Sequence, residues 1–295
     1  MKNSNKIIAI ILAALLLLVC VIPLSASGIH INIKYAYRTT TVVNVGDRFT
    51  LSLNTSDRIN STSWSSSDSS VAKIVKQNNK LSADINPVAP GVAIISIKID
   101  YSSWLKNDET VNFKVYVYEK KQISIKPYEQ QTNYCCSASA TRSTLRGIGV
   151  KYNGDDLTLY KSLGSITIGS IANKIKALSG KNYYAKAFYS RTEFEKAVIA
   201  SIKKGCPVVI KIALKDTSSP FKYKTTGHFT CISGFTVSPS GEVQFSLCDS
   251  FRIATNGGTF MVSSSDLYAY ARTNYNSNTG KYVANGCGCW IAAAK

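Results

Sequence analysis

"QQTNYCCSASATRSTLRGIGV", residues 130–150, decides how the second half of this chain is read. Two adjacent cysteines, Cys135 and Cys136, stand where a polar loop runs into small residues of helical character. Gly147 or Gly149 supplies the stop. A disulfide between neighbours is strained, so the pair is not expected to close on itself. A cysteine at a helix N-terminus has another use. The helix dipole and a nearby histidine both lower the thiol pKa, and the thiolate that results is a strong nucleophile.

Histidine is scarce, with only His30 and His228 in 295 residues. His30 lies near the N-terminus and carries no partner pattern. His228 opens the strand-like stretch "GHFTCISGF" (227–235), and "EVQFSLCD" (242–249) returns across the turn "SPSG" (238–241). Centring that turn between Ser238 and Pro239 places His228 opposite Asp249, Thr230 opposite Leu247, Ile232 opposite Phe245 and Gly234 opposite Val243. Directly opposed side chains have Cβ atoms about 4.5–5.5 Å apart. An aspartate there holds the imidazole in the tautomer and orientation that a thiol–imidazole pair requires. A slip of one residue would destroy the arrangement. In this register Cys231 and Cys248 lie on the other face of the hairpin, as buried small apolar residues or as a cross-strand disulfide.

The rest of the chain frames this site. Lys2 and Lys6, the apolar run Ile7–Ile22 and "PLSASG" read as a signal peptide over 1–27, cleaved near Ser27. An uncleaved anchor is the alternative, since Ile7–Leu24 approaches spanning length. Either reading exports the protein to the outside or the surface of a bacterial cell, with no transmembrane domain beyond that segment. Seven cysteines lie past it, all after residue 130, and an odd number leaves at least one thiol unpaired. No CxxC pair and no histidine cluster accompanies Cys287-Gly288-Cys289, so no metal site is expected. A staple from them to Cys206 is one pairing.

Net charge is +2 over residues 28–119 and +14 over 120–295. The basic half suits acidic substrates, anionic cell-wall polymers or lipid headgroups. No nucleic-acid-reading motif accompanies it.

Residues 28–119 read as all-β. "FTLSL" (49–53), "VAKIV" (71–75), "VAIISIKI" (92–99) and "VNFKVYVY" (111–118) are short β-rich runs separated by polar and Pro-Gly clusters. "VNVGDRFTLSL", "TSWSSSDSSVAKIV" and "PVAPGVAIISIKI" resemble the bacterial Ig-like group 2 domain, which implies a sandwich with Trp64 packed in its core. A linker is expected at 120–126, with Pro127 ending any strand. Residues 127–295 then mix helices and antiparallel strands as an α+β domain. "RTEFEKAVIASIKKG" (191–205) is a helix with Thr192 as N-cap and Glu195 closing a capping box. Its apolar face is Phe194, Val198, Ile199 and Ile202, and Gly205 ends it. "PVVIKIAL" (207–214) is a strand and "SSSDLYAYAR" (263–272) a short helix.

"CSASATRSTLRGIGV" resembles the nucleophile helix of papain-like cysteine peptidases of the bacteriocin-processing-peptidase-like group. "GHFTCISGF" is similar to their histidine strand, and "VQFSLCDS" to the strand that ends in aspartate. The match runs over roughly 125–270. It implies Cys136 as nucleophile, because counting from Cys136 brings Leu145, Arg146, Gly149 and Val150 into place. It further implies His228 as general base and acid, Asp249 as the orienting carboxylate, and a glutamine as oxyanion donor, either Gln130 or Gln131. Ser137 and Ala138 depart from the usual Gly-Pro. The implied fold is an Ig-like sandwich followed by a papain-like α+β domain. The implied function is an exported cysteine peptidase that acts on a peptide or protein through an acyl-enzyme, with no cofactor. The alternatives are an acyl transferase or cell-wall amidase using the same three residues, or an inactive surface adhesion protein.

Overall fold

The computed structural model describes residues 29–34, 40–55, 57–102, 107–126, 128–217, 221–251, 258–284 and 288–295. The expected signal segment and Cys287 lie outside them. Among the described residues, the first half has eight strands: β1 (Ile29–Lys34), β2 (Thr40–Asn44), β3 (Phe49–Asn54), β4 (Ile59–Ser66), β5 (Ala72–Asn79), β6 (Ser82–Pro87), β7 (Gly91–Tyr101) and β8 (Glu109–Gln122). The four β-rich runs seen in the sequence are β3, β5, β7 and β8. Period-two alternation fixes which side chains face inward. Ala93, Ile95, Ile97 and Ile99 of β7 and Phe113, Val115 and Val117 of β8 meet Phe49 and Leu51 of β3 and Ile85 of β6 in one core. Two sheets share that core. One runs β1-β3-β6-β5; the other includes β4-β7-β8, with β2 parallel to β8. Trp64 packs partly buried against it, with Nε1 donating to Thr62 Oγ1 at 3.0 Å.

Where a linker was expected at 120–126, the first three residues continue β8. The strand ends at Gln122, and its last residues, 119–122, pair with the later strand that carries His228. Lys203 Nζ meets Glu119 Oε1 at 2.5 Å, and Lys121 Nζ donates to Lys203 O at 2.7 Å. One backbone approach at this seam demands glycine. A Cβ on Gly234 would lie 2.8 Å from Lys121 O and closer still to the Gln122 side chain.

The second half follows as α1 (Cys136–Gly147), α2 (Asp156–Ser162), α3 (Ile168–Ser179), β9 (Tyr183–Phe188), α4 (Arg191–Lys203), β10 (Val208–Leu214), β11 (Thr225–Val237), β12 (Val243–Cys248), β13 (Thr259–Ser263), α5 (Ser264–Ala271), β14 (Asn274–Asn276), β15 (Lys281–Val283) and β16 (Cys289–Ala294). Its antiparallel sheet runs β11-β10-β16-β9, with β12 and β13 continuing beyond β11. Alternation sends Val209, Phe229 and Ala292 into a core with Leu145 of α1 and Ile171 and Ile175 of α3. Val208, Ile210, Ile212 and Ile291 instead meet Phe194, Val198 and Ile202 of α4 and Leu267 of α5. The sheet therefore buries both faces under helices.

Two local expectations change. Ser190, not Thr192, is the N-cap of α4, and its side chain makes no capping bond. Glu195 is drawn away from the helix start, because Oε1 accepts from Ser264 Oγ at 2.5 Å and pairs with Arg191 Nε at 3.3 Å, tying α4 to α5.

The β11–β12 register also differs. The turn spans Ser238 to Glu242, with Ser238 N bonded to Glu242 O and Gly241 at φ +82°. Val237 consequently pairs with Val243, Phe235 with Phe245 and Gly234 with Ser246. A bulge at Ser233 then moves the pairing by one residue, to Ile232 with Leu247 and Cys231 with Cys248. Extended by one step, that register sets Asp249 opposite Thr230 rather than His228.

Candidate active site

The bulge decides which side Asp249 faces. Without it, Asp249 would stand opposite Cys231, on the other side of the pleat from His228. One extra residue in β11 restores the side that the sequence reading required, two residues along the strand. A diagonal neighbour is within reach of long side chains. His228 Nε2 and Asp249 Oδ1 are 2.8 Å apart, and both residues are buried. Asp249 Oδ1 also accepts from Phe251 N at 2.8 Å, and Oδ2 from the Tyr223 hydroxyl at 2.5 Å.

α1 delivers the other partner. Cys135 is its N-cap and Cys136 its first residue. The two thiols diverge at once. Cys135 Sγ takes a hydrogen bond from Thr132 Oγ1 at 3.0 Å, whereas the Cys136 thiol is acted on by the His228 imidazole, which lowers its pKa. With Nε2 held by Asp249, Nδ1 is the ring nitrogen that meets Cys136. Cys135, Cys136, Cys206, Cys231 and Cys248 are free and buried, so neither a Cys231–Cys248 bridge nor a staple to Cys206 forms. Cys231 Sγ lies 3.4 Å from Thr144 Oγ1. Burial pushes the Cys231 thiol up and that of Cys248 up to about 11, which keeps both inert.

Cys136 behaves oppositely. Burial alone would raise its thiol, but the hydrogen bond and charge of His228, with the N–H groups of Phe229 and Ser137, hold it below the ordinary value. Burial likewise disfavours the His228 imidazolium. The charge and hydrogen bond of Asp249, aided by Cys136, overrule it and push the pKa up to about 10. Asp249 resists its own burial through His228, Tyr223 and the Phe251 N–H, and stays below the usual carboxylate range. These directions all favour one arrangement: a thiolate and an imidazolium steadied by a carboxylate. Such a pair can attack a carbonyl carbon and return a proton to the leaving group.

The segment before α1 separates the two glutamines. Gln130 N bonds to Ser250 O at 3.2 Å, and Gln130 Oε1 accepts from Ser250 Oγ at 3.1 Å, beside Asp249. Gln131 Oε1 instead accepts from Asp156 N at 3.2 Å, at the start of α2. Arg142 and Arg146, one turn apart on α1, lie over the Tyr128 ring at 4.1 and 4.6 Å and clamp this segment along the helix. A cavity of about 480 Å³ opens beside that clamp, lined by Lys151 and Tyr152 as well, and not at Cys136. His30 sits in β1, in the sheet that does not carry the site. Tyr223 and Phe251 escaped the sequence reading. Tyr223 lies five residues before His228 in "FKYKTTGH", and no spacing rule marks it.

No curated protein matches this chain. Among solved structures, the cysteine protease inhibitor EhICP2 of Entamoeba histolytica is 12% identical over 30% of this chain and 93% of its own, at a TM-score of 0.23. Domains 4 and 5 of the S-layer protein SbsC are 20% identical over 27% of this chain and 41% of theirs, at 0.22. Likenesses this slight carry no argument. The family comparison does. The model of the Peptidase_C39-like family matches residues 122–282, more than half of the chain, from the last residue of β8 through Cys136, His228 and Asp249. The chain belongs to the Peptidase_C39-like family, and its second half has the fold of a cysteine peptidase.

Proposed function

We propose that the protein is an exported cysteine peptidase in which Cys136 is the nucleophile, His228 the general acid and base, and Asp249 the orienting carboxylate. The observation that carries this is the buried His228–Asp249 hydrogen bond, with His228 acting in turn on the Cys136 thiol to lower its pKa. The thiolate adds to a peptide carbonyl. His228 gives its Nδ1 proton to the departing amine, leaving a thioester on Cys136. His228 then takes a proton from water, which attacks the thioester and releases the new carboxyl terminus.

The negative oxygen formed in each step needs donors. The Cys136 N–H belongs to the first turn of α1, where no helical carbonyl reaches it. Gln130 supports a second. Its Nε2 donates to Thr132 O at 3.0 Å, and the amide keeps another N–H. Gln131 stays a candidate on the same ground, because the bond its carbonyl takes from Asp156 N leaves its amide N–H groups untouched. The same proposal takes residues 1–27 as a signal peptide, 28–119 as a bacterial Ig-like domain that spaces or docks the enzyme at the cell surface, and 127–295 as the peptidase domain. The +14 charge of the second half suits a site of action among anionic wall polymers.

A mixed peptide library incubated with the reduced protein, and read by mass spectrometry for new amino termini, tests the reading. Cleavage is expected to appear as pH rises through the lowered thiol pKa and to fade as it approaches about 10, where His228 loses its proton. No new termini at any pH would overturn it.

A further inference from the structure

We infer that Tyr223 is a positioning residue for the reaction: its hydroxyl locks the Asp249 carboxylate, and its ring seals the His228–Asp249 pair from water. The inference rests on the reading of Cys136, His228 and Asp249 as the reacting set. Asp249 has two oxygens with different tasks. Oδ1 faces His228 Nε2 and also takes the Phe251 N–H. Those two bonds leave the carboxylate free to rock about Oδ1. The Tyr223 hydroxyl, 2.5 Å from Oδ2, removes that freedom.

The ring has its own part. It meets His228 edge-on at 5.6 Å and 78°, lies 4.5 Å from Phe251, and meets Phe221 edge-on at 5.8 Å. Phe251 in turn stands edge-on to His228 at 5.9 Å. Two aromatic rings thus flank the imidazole, and Tyr223 is only 9% exposed. Low dielectric strengthens the imidazolium–carboxylate attraction. The phenol also stays a donor throughout the working pH range, because burial and the neighbouring Asp249 charge push its pKa up.

Tyr223→Phe removes the hydroxyl and keeps the ring contacts, so the fold is retained; an unchanged melting curve checks this. Three quantities are then read. On a peptide that the wild type cleaves, kcat is expected to fall about tenfold with KM within about twofold, the size of one lost hydrogen bond to a charged group. The acid limb of the pH profile for iodoacetamide alkylation of Cys136 moves to higher pH, because a carboxylate that loses a donor protonates more readily. The low-field proton resonance of the His228 Nε2–H moves as well. A folded variant with wild-type kcat, alkylation profile and imidazole resonance would overturn the role of Tyr223 while leaving the peptidase reading intact. A wild type whose Cys136 shows no rapid alkylation at low pH would instead sink the peptidase reading, and this inference with it.

Discussion

Serine at position 136 lowers peptide hydrolysis by at least about 10⁴-fold, while serine at position 135 leaves it within about threefold. The contrast follows from where the thiols point. Cys136 shares its proton with His228, and an alcohol in that place keeps a pKa far too high for the imidazole to withdraw it. Cys135 accepts one hydrogen bond from Thr132 and serves as the N-cap of α1. Serine accepts the same bond and is a preferred N-cap, so the helix keeps its start. Progress curves on a cleaved peptide, with melting curves for both variants, check the pair. Comparable losses in both would mean that the adjacent cysteines act together.

Asp249→Asn is expected to cost about 10⁴-fold in kcat, with little change in KM. The asparagine fits the space, but it offers one acceptor oxygen where Asp249 serves Tyr223, Phe251 and His228. If its amide nitrogen turns to His228, the ring must accept at Nε2 and carry its proton at Nδ1, the atom that has to receive the thiol proton. The thiolate is then lost. The imidazolium also loses the charge that holds its pKa near 10. Steady-state kinetics and the alkylation rate of Cys136 check this, and both fall together.

Much of this was legible in the sequence, and the exceptions have physical causes. β-Branched and aromatic runs bounded by polar and Pro-Gly clusters exposed β3, β5, β7 and β8. α1 followed from small residues and a glycine stop, and Cys136 was singled out by the family resemblance. His228 and Asp249 were found on the right side of a hairpin for an incomplete reason. The turn is longer than the Ser-Pro signal suggested, and the Ser233 bulge compensates by one residue. A bulge leaves no mark in a sequence read for strict alternation. The helices α2 and α3 were passed over for different reasons. Asp155 caps α2 in the ordinary way, but that helix is only seven residues long, and the Thr167–Ser170 box of α3 has serine where glutamate is usual. The extension of β8 into the second half was hidden because pairing with β11 is a long-range event. Tyr223 was hidden for a similar reason: only the folded chain brings its hydroxyl to Asp249.

The central claim is that Cys136, and no other thiol, is held as a thiolate by His228. The measurement is substoichiometric iodoacetamide labelling of the reduced protein near pH 6, in the wild type and in His228→Ala, with fragment-ion mass spectrometry to separate Cys135 from Cys136. The account predicts rapid labelling at Cys136 that drops by about 100-fold or more in the variant, as a thiol returns toward its ordinary pKa. Slow, even labelling of all thiols, or rapid labelling that survives the loss of His228, would contradict it.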